Sequence, residues 1–88
     1  MPNIDLVWGR IMAHEGETFR QIRSQEFTYE VVSSVLRPST TNQNLPKSAF
    51  ADALDLVPLA STAPVQHLRG PSYLYAILMD ARIRQGDW

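Results

Sequence analysis

The chain has 88 residues, 44% of them hydrophobic, with nine acidic residues against eight lysines and arginines, for a formal net charge of −1. That length makes one domain with a thin stability margin, and the apolar fraction is too high for a disordered chain. The absence of cysteine excludes disulfides and thiolate metal sites, and the near-neutral balance lacks the basic excess usual in a strong nucleic-acid binder.

The longest apolar run, residues 74–79, is far short of the ~20 residues needed to cross a membrane, so no membrane partner is expected. Residues 1–10 show no basic start leading into an apolar stretch, and no secretory signal is expected. Together with the missing cysteines, this favours a cytoplasmic protein.

In chain order, residues 3 to about 14 read as a helix. Asn3 can cap it and Asp5 suits the positive end of its dipole. Ile4, Val7, Trp8 and Ile11 form one apolar stripe, and Gly16 is a natural stop. Residues 17–35 read as a β-hairpin, with strands 18–22 and 27–32 around a turn at 23–26. Phe27, Tyr29 and Val31 share one face, Thr28 and Glu30 the other. Ser33 and Ser34 can turn the chain into a short third strand, Val35, Leu36 and Arg37, which Pro38 ends or puts at an edge.

Residues 39–46 read as a polar loop. A second helix follows over about 49–57, capped by Ser48, with Phe50, Ala53, Leu54 and Val57 as its stripe and Pro58 closing it. After a loop over 59–70, Pro71 or Ser72 opens a last helix running to about 80 or 82, with Leu74, Ile77, Leu78 and Ala81 on its buried face. Residues 82–88 are a tail, and Trp88 is either a loose end or a docked plug. The expected architecture is α+β within one domain, 1–88: an N-terminal helix, a two- or three-stranded antiparallel sheet and two C-terminal helices packed on one face. Small sheets leave edges open, and pairing with a second copy, edge to edge or through the open sheet face, is one way to cover them. Val32, Val35 and Leu36 are the residues fitting such a contact.

Three constellations can carry chemistry. His14, Glu15 and Glu17 put titratable groups together, but the His-Glu-x-x-His pattern fails because position 18 is Thr. His14 and His67 could meet with a carboxylate. The plainer reading is a solvated helix end, and no metal or cofactor is implied. His67, Arg69, Ser72, Tyr73 and Tyr75 surround the start of the last helix, where free N–H groups and a guanidinium can hold a phosphate or carboxylate. Pro71 removes one of those N–H groups, and the plainer reading is a tightly started core helix with wet tyrosine hydroxyls. A small hydrolase with Arg and Tyr as working groups is a further option at this junction. The triad spacing, nucleotide glycine loop and carboxylate pair that would mark other catalytic sites are missing.

Arg20, Arg23 and Arg37 fall in or beside the sheet, followed by Thr40, Thr41, Asn42, Gln43 and Asn44 and then Lys47. Arginine can grip phosphate or guanine, and amides can read adenine, so this is a candidate nucleic-acid face. Glu26 and Glu30 in the same hairpin oppose it, and amide-rich loops often simply bond their own backbone. Single-strand binding would require exposed aromatics, for which Phe27 and Tyr29 are the candidates.

Several phrases resemble a small uncharacterised bacterial family of the kind carried on mobile elements such as integron gene cassettes. They are Gly16-Glu17-Thr18-Phe19, Phe27-Thr28-Tyr29-Glu30-Val31, the entry Asn44-Leu45-Pro46-Lys47-Ser48-x-Phe50, and Gly70-Pro71-Ser72-Tyr73 running to Ala76-Ile77-Leu78-x-Asp80-x-Arg82-Ile83. The resemblance implies a stand-alone bacterial protein without an assigned activity and transfers no catalytic residue. Ser24 and Ser34 stand where tight turns would more comfortably hold glycine. The sequence therefore points first to a binding or interaction module acting as a homodimer or on a protein partner. Nucleic-acid binding and a small-ligand or hydrolase site at residues 67–75 are the alternatives.

Overall fold

A computed structural model of the chain describes residues 3–22 and 24–88. Helix α1 spans Ile4–Ala13, and the Asn3 side chain accepts from the Leu6 N–H at its start, as its sequence position suggests. Val7, Trp8 and Ile11 are buried, with Ile4 packed against the same core.

The hairpin expected over 17–35 is divided between two sheets. Strand β1, Phe19–Arg20, pairs antiparallel with β2, Glu26–Phe27. Strand β3, Tyr29–Val32, pairs instead with β4, Val35–Pro38. The switch occurs at Thr28, which exchanges two hydrogen bonds with Ser39: its N–H donates to Ser39 Oγ, and its C=O accepts the Ser39 N–H. The alternation read from the sequence holds: Phe27 and Tyr29 are buried and Val31 is half-buried. The partner is what differs. Ser24 (φ 68°) and Ser33 (φ 57°) take the left-handed turn positions, so Ser33, not Ser34, carries the strained conformation between β3 and β4.

The polar loop hides a fifth strand. Leu45 and Pro46 form β5 and pair antiparallel with β4, making β4 the centre of a three-stranded sheet, not its edge. Leu36 is accordingly fully buried, which removes it from the residues expected on a contact surface. Helix α2 runs Lys47–Leu54, two residues earlier than expected. It follows Pro46 directly and receives no side-chain cap from Ser48. A short 3-10 turn at Ala63–Val65 pins the following loop by burying Val65.

The last helix is interrupted. Helix α3, Pro71–Leu78, ends at Met79, and α4, Ala81–Arg84, starts afresh with Asp80 accepting from the Arg82 N–H. The break leaves Ala81 exposed, against the expectation of a buried position, and it turns Ile83 into the core. The tail is docked: the Trp88 indole donates to the Leu78 carbonyl at 2.8 Å, and Arg10 on α1 donates to the Ile83 carbonyl at 3.0 Å. One core cluster joins residues from α1, all five strands and α2 to α4. Edge-on aromatic contacts tie it together, Trp8 to Phe50 and Phe27 to Tyr73. The architecture is mixed α+β.

Candidate functional site

The densest polar cluster lies where α4 meets the β1 hairpin. The Arg82 guanidinium donates to both oxygens of Asp80, to Glu17 Oε1 at 3.0 Å and to the Thr18 carbonyl at 2.8 Å. Its carbon also stands 3.8 Å from the centroid of the Phe19 ring, a cation–π contact. Glu17 reaches His14 Nδ1 with its other oxygen at 2.9 Å. The His14 hydrogen bond, with Arg82 second, holds the Glu17 carboxyl below its ordinary range. For Asp80, burial pushes upward, but the hydrogen bonds from Arg82 outweigh it and the carboxyl also titrates low. Asp80 in turn holds the Arg82 guanidinium above its ordinary value. Nearby, burial raises the Tyr29 hydroxyl, which donates to the Ile11 carbonyl at 2.6 Å. Every group in this cluster is engaged by another part of the same chain, so it works as a clamp.

The sheet offers the opposite condition. Directly opposed residues of paired strands project on one face. Tyr29, Leu36, Pro38 and Leu45 point into the core, while Glu30, Val32, Val35, Arg37 and Pro46 share the outer face. One row of that face runs Val32, Val35, Pro46 across all three strands. Val32 is 51% exposed. Pro46 leads into a shallow, mainly apolar hollow of about 390 Å³, lined by Ile4, Ser34, Pro46, Lys47, Ser48 and Ala51. Lys47 at its rim is paired with Asp5 at 2.6 Å.

The other row of the face is polar. Arg37 and Glu30 oppose each other at 3.6 Å, both more than half exposed. They border a polar hollow of about 300 Å³ whose remaining lining is Pro38, Thr41, Asn42 and Asn44. The structure thus gathers three of the nucleic-acid candidates, Arg37, Asn42 and Asn44, at one place. It separates the others: Arg20 pairs with Glu26 on the β1 hairpin, and Lys47 pairs with Asp5. Arg23 lies outside the described residues. Phe27 and Tyr29, the aromatics a single-strand platform would use, are both turned into the core.

At the start of α3, the five ligand candidates range from surface to core. His67 and Arg69 are exposed, Ser72 and Tyr75 are half-buried, and Tyr73 is buried, its hydroxyl 2.6 Å from Thr40 Oγ1. Gly70 sits at φ 66° with the Leu45 side chain of β5 packed against it. Among the described residues no group of three metal-ligating side chains converges. Nor, among them, is any helix long and apolar enough to cross a membrane.

These features define an α+β protein with an internal polar clamp and a sheet face left uncovered by the described residues. No protein-family model, curated protein or solved structure matches the chain.

Proposed function

We propose that this protein is an interaction module that associates with a second copy of itself through the outer face of the three-stranded sheet. The row Val32, Val35, Pro46 supports this reading, because it is an apolar row across all three strands in which Val32 is half exposed and Val35 and Pro46 are only partly buried. The same surface carries a knob, Val32, and a hollow bordered by Ile4, Pro46 and Ala51. That combination suits a two-fold contact, in which each copy offers its knob to the other's hollow. The rim of the hollow bears one cation and one anion, Lys47 and Asp5, which can exchange partners across the axis. A net charge of −1 sets little repulsion between copies.

Light scattering over a concentration series tests the reading. The mass should rise from one chain to two, and Val32→Lys should hold it at one chain with little loss of melting temperature. A one-chain mass for the unaltered protein up to about millimolar concentration, well above the dissociation constant of a specific dimer, would end the proposal.

A second reading rests on the polar hollow. Arg37, Thr41, Asn42 and Asn44 supply a guanidinium, a hydroxyl and two amides around one space that also holds Glu30, a mixed donor and acceptor set suited to the edge of an unpaired base. Binding of single-stranded RNA or DNA should then fall steeply with salt and be lost in Arg37→Ala. Equal binding by Arg37→Ala would remove it.

A further inference from the structure

The outer edge of β3 is closed by an unusual arrangement. Glu30 and Val32 turn their backbone groups toward β4, so Tyr29 and Val31 turn theirs outward, where an edge strand would normally be open. Two successive residues of the turn after α1 meet them. The Gly16 N–H donates to the Tyr29 carbonyl at 3.0 Å, and the Glu15 carboxylate accepts the Val31 N–H. Gly16 adopts φ 85°, a conformation open to glycine at little cost, and this lets the turn approach the strand. The opposite edge of the sheet needs no such device, because β5 is two residues long and Pro46 has no N–H to offer.

A carboxylate on an exposed, rotatable side chain is a poor substitute for a neighbouring strand as a structural bond. It is an effective plug, since it satisfies the donor and places a negative charge where another backbone would approach. We propose that Glu15 is an edge guard: it occupies the Val31 N–H that would otherwise pair with β3 of a second copy, and so stops the sheet at three strands. The partner is set by the edge itself. Two β3 strands related by a two-fold axis at Val31 exchange two backbone hydrogen bonds between their Val31 residues. That register places Val32, half exposed in the single chain, opposite Glu30 of the other copy. The register centred one residue earlier would instead oppose two Glu30 carboxylates and is disfavoured. This contact uses the sheet edge and is independent of the face contact proposed above.

The experiment is Glu15→Ala introduced into the Val32→Lys protein, where the face contact is disabled and the introduced ammonium stands opposite Glu30 in the edge register. Light scattering should show a concentration-dependent rise toward two chains. The control Glu15→Gln, which keeps an acceptor oxygen, should remain at one chain. A one-chain mass for the Ala variant at all concentrations overturns the proposal, as does an equal rise in the Gln control. Amide exchange of Val31 reads the guard without relying on association. It should be protected in the unaltered chain and exchange at least about 10-fold faster in Glu15→Ala, while buried amides such as that of Leu36 keep their rates. A Val31 amide that is unprotected in the unaltered chain would overturn the proposal outright.

Discussion

Two arginines show how differently one small chain treats the same side chain. Arg82 commits its guanidinium to Asp80, Glu17, the Thr18 carbonyl and the Phe19 ring. Arg37 has one loose ion pair with Glu30 at 3.6 Å and stands more than half exposed. The first joins segments that are 64 and 65 residues apart in sequence. The second joins neighbours across a hairpin. An arginine that spends four of its five donors on its own chain serves folding, whereas one with most of its donors to spare on an exposed face is available to a partner.

The largest effect expected from breaking this contrast is at Arg82. Arg82→Ala strips Asp80 of its guanidinium donors and leaves it only the residue-82 N–H, leaves the Thr18 carbonyl without its donor and removes the cation from Phe19. The cost is about 2–3 kcal/mol, from the loss of charged hydrogen bonds in a half-buried site. Thermal unfolding should register it as a fall of roughly 10 °C or more for a domain of this size. Arg82→Lys should recover only part of the loss, because an ammonium cannot reproduce the fork. A melting temperature unchanged within a degree would show that the clamp is decorative.

Next in size is the closed inner face of the sheet. An added methyl group at Gly70 would sit 2.7 Å from Leu45 Cδ2, and φ is 66° there. Leu45 is fully buried, so its side chain would have to repack within the core. Gly70→Ala should cost about 1–3 kcal/mol by overpacking and left-handed strain together. Gly16→Ala meets no such neighbour, so its cost is confined to the backbone conformation and should be smaller. Equal losses at the two sites in chemical denaturation would argue against the packing of Gly70 on β5.

Acid titration gives a smaller and more specific readout. Glu17 and Asp80 are both held below their ordinary values of 4.5 and 3.8. Groups with depressed folded-state values contribute stability that is present above those ordinary values and lost as pH falls through the folded-state ones. The native chain should therefore lose stability progressively below about pH 4.5, and the slope should flatten in Arg82→Met, which removes the shared donor. A parallel acid limb in the two proteins would assign the pH dependence to other carboxylates.

Some of this contrast was legible in the sequence and some was not. The α1 stripe and its Asn3 cap depend on residues three and four apart, and they form as read. So does the alternation of Phe27, Tyr29 and Val31. The turn at Ser33 and Ser34 into a third strand also forms as read, but the division of the segment between two sheets was not legible, because it depends on the Thr28–Ser39 exchange across 11 residues. Strand β5 was hidden for the same reason: two residues in a polar loop become a strand only because β4 is beside them. The start of α4 did leave a signal, an aspartate two residues before an arginine, but the apolar run ahead of it masked the break. Of the candidate sites, the sequence grouping of Arg37 with Asn42 and Asn44 survives as a shared hollow. Arg20 and Lys47 belong to the same set of surface cations in the sequence, and only the fold places them beside Glu26 and Asp5, away from that hollow.

The smallest effect is expected at Arg37 itself, and it is the one that separates the two arginines most cleanly. An exposed cross-strand pair at 3.6 Å is worth a few tenths of a kcal/mol, since water screens it and both side chains give up rotamer freedom to make it. Arg37→Ala should therefore change folding stability by less than about 0.5 kcal/mol, whereas the same substitution at Arg82 costs several times more. The double variant Glu30→Ala, Arg37→Ala should be no less stable than the sum of the single variants within that margin. If Arg37→Ala instead approached the loss seen at Arg82, the outer face would be a structural surface in its own right. The case for reading it as a contact surface would then rest on Val32 alone.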